Sequence, residues 1–245
     1  MDRQVTCLRA RTSDRTAGAG AGAEALALAL GGAIVGEPGE PAVRDWSEDL
    51  PEAGPVLDAA AAAIDRAFAE GAMPVLTASD CSICIATLPT VVAHVPDVHV
   101  AWLDAHGDFN TPDTTPSGFL GGMCLAAACG RWDASWPGTL HPHRVHLLGV
   151  RDLDPGEQME ASAAGLSAEV PEDVPLYVHL DADVLDPSVM AAQFAVPDGW
   201  DERRLRAQLA ELAAGCRIVG VEITAVEDPS VVPMLADAIQ PLLRG

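Results

Sequence analysis

The sequence predicts an α/β fold: a three-layer αβα sandwich with a mainly parallel sheet. Three observations carry this expectation. Apolar runs such as VHVAWL and LYVHL are short, β-branched and free of polar alternation, as suits strands buried on both faces. Helix-like stretches separate these runs almost one for one, the alternation that builds a parallel sheet covered on both sides. The unusual polar residues gather just past the strands, where sheets of this kind hold their ligands.

In chain order, RQVTCLR reads as the first strand and the Ala-rich region 20–31 as a helix. That region mimics an export signal, but Glu24 interrupts it and four arginines precede it over a long lead. GEPGEPAVRDWSEDLPEAGP is a Pro- and acid-rich connection. Residues 56–70 form a helix, MPVLTA the next strand, and SICIATLPTVVAH a helix as far as Pro89. The strand VHVAWLD is followed by a polar loop from 105 to about 122, a length that in compact domains usually carries function. A small-residue helix over 123–130, the strand RVHLLGV, an acidic helix from Pro155 and the strand LYVHLDA come next. A second long loop covers 184–200. Helix 201–214, the strand CRIVGVEI and a last helix complete the pattern, and residues 1–245 are expected to form one domain.

Composition narrows the function. A net charge of −22 argues against nucleic acid and anionic membranes as partners. All 14 cationic side chains are arginine, so neither a Schiff-base lysine nor a phosphate-loop lysine is available. The six cysteines fall mostly in apolar stretches, the usage of buried thiols in a reducing compartment, and a cytoplasmic location is expected. No run is long and apolar enough to span a bilayer.

The chemistry sits at two strand ends. In LDAHGDFN, Asp104, His106 and Asp108 fall at every second position, so an extended segment would put them on one face. In HLDADVLDP, Asp181 and Asp183 repeat that spacing, while Asp186 before a proline suits a turn. His179 shares their parity and is expected as a hydrogen-bonded neighbour rather than a ligand. Four carboxylates and an imidazole would be costly to bury unpaired. Oxygen donors with one nitrogen suit Mn²⁺ or a similar ion, and so many donors suit two ions.

The chain resembles the ureohydrolase family of arginases and agmatinases. DAHGDFN matches its D-A-H-x-D-x-N motif, HLDADVLDP its F-D-x-D-x-x-D-P motif, and GVRDLDPGE its G-x-R-D-x-D-P-G-E segment. SGFLGGM falls at its S-G-N-x-H-G-M region. The resemblance implies a three-layer fold, two Mn²⁺ ions and hydrolysis of a small guanidino substrate. It further implies that Asp104 and Asp181 bridge both ions, that Asp108 completes the first ion's shell and moves a proton, and that His106 and Asp183 hold the second. Asn110 and Ser117 match positions that contact an α-carboxylate, Asp154 one that receives an α-amino group, and Glu157 a neighbouring acidic position. An arginine-like amino acid is therefore expected over agmatine. Relatives are often oligomers held partly by a C-terminal extension. This sequence stops soon after its last helix, so a monomer or a homo-oligomer is expected.

Three departures stand out. Cys81 occupies the place of a metal-binding histidine, and a thiol near a helix start and a dication should ionise readily. CSIC also has the spacing of a redox pair, with Cys84 read as packing. Gly121 replaces a loop histidine that serves as a proton shuttle, which disfavours expulsion of an amine from a strongly basic guanidinium. Ala225 stands where a guanidinium-binding glutamate is expected; Glu227 is the candidate in its stead, with Glu222 lying earlier. The first two departures resemble a branch of the family that hydrolyses Nω-hydroxy-L-arginine to hydroxyurea and L-ornithine. The alternatives are another guanidino substrate or a non-catalytic metal-binding member.

Overall fold

The computed structural model describes residues 2–244. Seven strands form one sheet: β1 Arg3–Leu8, β2 Ala33–Val35, β3 Met73–Ala78, β4 His99–Leu103, β5 Val145–Leu148, β6 Pro175–Asp181 and β7 Arg217–Thr224. Their order is β2-β1-β3-β7-β6-β4-β5, and every pairing is parallel. Seven α-helices lie between and after them: α1 Gly18–Ala29, α2 Trp46–Ala69, α3 Cys84–His94, α4 Cys124–Ala128, α5 Pro155–Ala164, α6 Glu202–Gly215 and α7 Val232–Ala238. Helices α1, α6 and α7 cover one face of the sheet, and α2, α3 and α4 pack on the other. The expected three-layer architecture is the one observed.

Three local expectations need correction. The second half of the connection before residue 56 is helical, because α2 begins at Trp46 behind Asp45, whose carboxylate accepts from the Ser47 amide at 3.0 Å. Pro51 and Pro55 lie inside α2, yet both are exposed, so the carbonyls they leave unpaired face water. Helix α3 runs through Pro89 to His94, with Leu88 and Val91 on either side of the proline buried against α2 and α4. The short strand β2 was not expected; three residues are too few for a readable periodicity.

The crossover that matters is β3 to β4. The chain leaves β3 and returns three positions away, with β7 and β6 filling the gap. The carboxyl ends of β3, β7, β6 and β4 are therefore consecutive along one edge, beside the point where the winding reverses, and a crevice opens there.

Candidate active site

The register aligns the polar strand ends. On one face, Trp102, His179 and Glu222 are lateral neighbours on β4, β6 and β7, and Asp181 pairs with Thr224 two positions further on. Asp104 follows the last residue of β4, and Cys81 opens the turn after β3, so both arrive above the same rung. One donor atom from each of Cys81, Asp104, His179 and Asp181 lies within 4.8 Å of the others. Asp104, His106 and Asp183 form a second such group, so Asp104 belongs to both.

The predicted residues converge, but not by the expected route. Residues 104–106 are a bend and 107–108 are irregular, not an extended strand. Asp108 takes a left-handed φ of +48°. Its carbonyl receives the amides of Leu125 and Ala126 from the start of α4, which fixes the bend. Asp108 lines the same cavity as both donor groups but joins neither among the described residues. His106 reaches Asp104 at 3.3 Å and Asp183 at 3.1 Å through Nδ1, with its side chain 25% exposed.

These donors fit divalent cations. Burial and nearby Asp183 push Asp181 up to about 7, and burial and Asp104 hold Asp108 well above the carboxylate range. Against the cost of burial, hydrogen bonds to Asp104 and Asp183 push His106 up to about 12. Nε2 of fully buried His179 finds no hydrogen-bond partner among the described residues. Asp181 and Asp108 are costly to ionise where they lie and His179 Nε2 has no partner, and cations among them would supply the missing charge and acceptor.

Cys81 lies among carboxylates that oppose its ionisation in the metal-free chain. Burial and Asp181 hold its thiol well above the ordinary range, and Sγ donates to Asp181 Oδ2 at 2.8 Å. Burial and the surrounding carboxylates outweigh the short turn it opens, so a nearby cation would be needed to ionise it. All six cysteines are free. Cys81 faces Asp181 and Thr224, whereas Cys84 bonds with Cys124 in the core, so the CSIC pair is not arranged as a disulfide.

A second cavity adjoins the first and shares His106, Asp108, Phe119 and Phe194 with it. Asn110, Ser117, Asp154 and Glu157 line it. Asn110 Nδ2 donates to Asp154 Oδ2 at 3.1 Å, and its Oδ1 accepts from Thr114 Oγ1 at 3.0 Å. Buried Glu157 takes the amides of Phe109 at 2.8 Å and Asp154 at 3.1 Å, tying both motifs together, and burial pushes it up to about 7. Glu227 lines the first cavity and accepts from Thr16 Oγ1 at 3.1 Å and the Gln193 amide at 2.9 Å. Glu222 is excluded from any ligand contact: it is fully buried under the site and bonded to His179, Tyr177 and Thr87.

Four contributors escaped the sequence. Asp14 lines the first cavity, where burial and nearby Asp80 push it up to about 6. It follows β1 in a polar run, the same signal that marked the other sites. The rings of Phe119 and Phe194 meet at 5.0 Å where the two cavities join. Phe194 sits in a loop without periodicity, and nothing local marks it. The fourth is the free nitrogen of His179.

Comparison with known proteins agrees with this geometry. The arginase-family profile matches residues 42–232. An N(omega)-hydroxy-L-arginine amidinohydrolase of Streptomyces lavendulae is 38% identical over 213 residues, 82% of this chain and 78% of the relative. An arginase of Bacillus caldovelox is 34% identical over 155 residues, 52% of each chain. The native crystal structure of a Bacillus caldovelox arginase superposes with a TM-score of 0.82 at 25% identity, covering 100% of this chain and 99% of that one. Matching fold, matching motifs and a donor cluster at the strand ends place the chain in the arginase family.

Proposed function

We propose that this arginase-family hydrolase cleaves Nω-hydroxy-L-arginine to hydroxyurea and L-ornithine with two Mn²⁺ ions. The observation that carries the reading is the pair of donor groups sharing Asp104 at the floor of a cavity that continues into a polar pocket. Cys81, Asp104, Asp181 and Asp108 would serve one ion, and Asp104, His106, Asp181 and Asp183 the other. Such ions supply a water of lowered pKa beside an electrophilic carbon.

The chain's own residues orient the substrate and move protons. Asn110 and Ser117 receive the α-carboxylate, and Asp154 the α-amino group, which sets the guanidino carbon over the ions. Glu227 faces the guanidino end. Asp108 accepts a proton from the attacking water and returns it to the δ-nitrogen, which leaves as the amine of ornithine. Water adds to the carbon, the bond from carbon to the δ-nitrogen breaks, and the remaining half is hydroxyurea.

The hydroxylated substrate is favoured at Gly121. A Cβ there would lie 2.6 Å from the Phe119 ring, so that ring fills the space a shuttle histidine would need. An N-hydroxyguanidine is less basic than a guanidine, more often neutral, and less dependent on a separate proton shuttle. The similarity to the Streptomyces lavendulae amidinohydrolase supports the same choice.

The test is a discontinuous assay of the Mn²⁺-loaded protein on hydroxyarginine, arginine and agmatine, with ornithine and hydroxyurea quantified. Hydroxyarginine is expected to turn over fastest. Preferred turnover of arginine would reject the substrate assignment, and no turnover of any guanidine would leave a non-catalytic binder.

A further inference from the structure

We infer that His179 is a metal ligand of this chain, donating Nε2 to the ion held by Cys81, Asp104 and Asp181. The inference rests on the metal centre proposed above and adds a ligand to it. Four observations carry it.

His179 lies one step below Asp181 on the same face of β6, flanked by Trp102 and Glu222. Its ring stacks on Trp102 with centroids 3.5 Å apart and planes 2° from parallel, so it cannot swing away. Nδ1 lies 2.7 Å from Glu222 Oε1. The other carboxylate oxygen already accepts from Thr87 Oγ1 at 2.6 Å and Tyr177 Oη at 3.0 Å. A carboxylate so engaged can only accept from the imidazole, so Nδ1 carries a proton and, in the neutral ring, the lone pair lies on Nε2.

That lone pair is buried without a partner, and an imidazole nitrogen of His179 is within 4.8 Å of the donor atoms of Cys81, Asp104 and Asp181. A histidine serving only to pack the core would be cheaper as an apolar residue or would have its second nitrogen bonded. Carboxylate, imidazole and vacant donor in line is the arrangement by which proteins fix the tautomer of a ligating histidine. Cys81 removes one nitrogen from the centre, and His179 returns one from beneath the sheet edge.

The experiment titrates the full-length, metal-free chain with Mn²⁺ by calorimetry and with Co²⁺ by absorbance, where thiolate-to-cobalt charge transfer reports the ion beside Cys81. Wild type is expected to take up two ions. His179→Gln should lose one of them or bind it at least 10–100-fold more weakly, with an altered cobalt spectrum, while the second ion is retained. Glu222→Gln, which keeps the packing but frees the tautomer, should weaken the same ion by about 10–100-fold. Unchanged stoichiometry, affinity and spectrum in His179→Gln overturns the inference and leaves the two-ion reading intact. Failure of wild type to take up either metal overturns both.

Discussion

The two donor groups share Asp104 yet sit in opposite surroundings. Cys81, Asp181 and His179 are buried, held from strand ends and braced from below by Glu222 and Thr224. His106 and Asp183 come from the bend after β4 and the turn after β6, and His106 is partly open to the cavity. The buried side is fixed by sheet register and has little freedom to adapt. His106, the more exposed donor, also lines the second cavity.

The largest effect is expected where the two sides join. Asp104→Asn should abolish uptake of both ions and bring turnover to background, whereas Asp183→Asn should spare the ion beside Cys81. Calorimetric stoichiometry separates these outcomes, and retention of two ions in Asp104→Asn would refute the shared position. Next, Asp108→Asn should lower kcat by about 10²–10⁴-fold with a smaller change in KM, as steady-state kinetics on hydroxyarginine will report.

Acidity should act on the site without any substitution. Asp181 rises from an ordinary 3.8 to about 7. Between those values the folded metal-free chain keeps a proton that the unfolded chain has released. This group's contribution to stability is therefore full at low pH and is lost as pH rises toward 7. Cations bind the deprotonated form and reverse that slope. The rise in Tm produced by Mn²⁺, followed by circular dichroism, should grow as pH increases through this window; a pH-independent rise would contradict the assignment.

The smallest effect concerns the turn at Gly121. Gly121→His should cost about 1–3 kcal/mol of stability, read from urea denaturation, because it drives Phe119 from its place. Adding Phe119→Asn should recover much of that loss and raise the ratio of arginine to hydroxyarginine turnover. An unchanged ratio would detach Gly121 from substrate choice.

Much of this was legible in order along the chain. Continuous apolar runs gave the strands, and acidic residues beyond them gave the donors, because a parallel sheet must bury its strands and expose their ends. The start of α2 was legible too, in Asp45 followed by Glu48, but its prolines masked it. The left-handed turn at Asp108 was not, since it depends on amides of α4 offered from across the loop.

By itself the sequence determined the layers, the order of elements, the family and the identity of most donor side chains, all of which follow from local periodicity and motif spacing. Tertiary structure alone decided that Asp104 belongs to both donor groups, that Cys81 Sγ donates to Asp181, that Phe119 fills the space beside Gly121, and that one nitrogen of His179 is left without a partner. Those facts depend on lateral register between strands far apart in the chain and on the electrostatics of a buried edge, and neither is written in any contiguous stretch of residues.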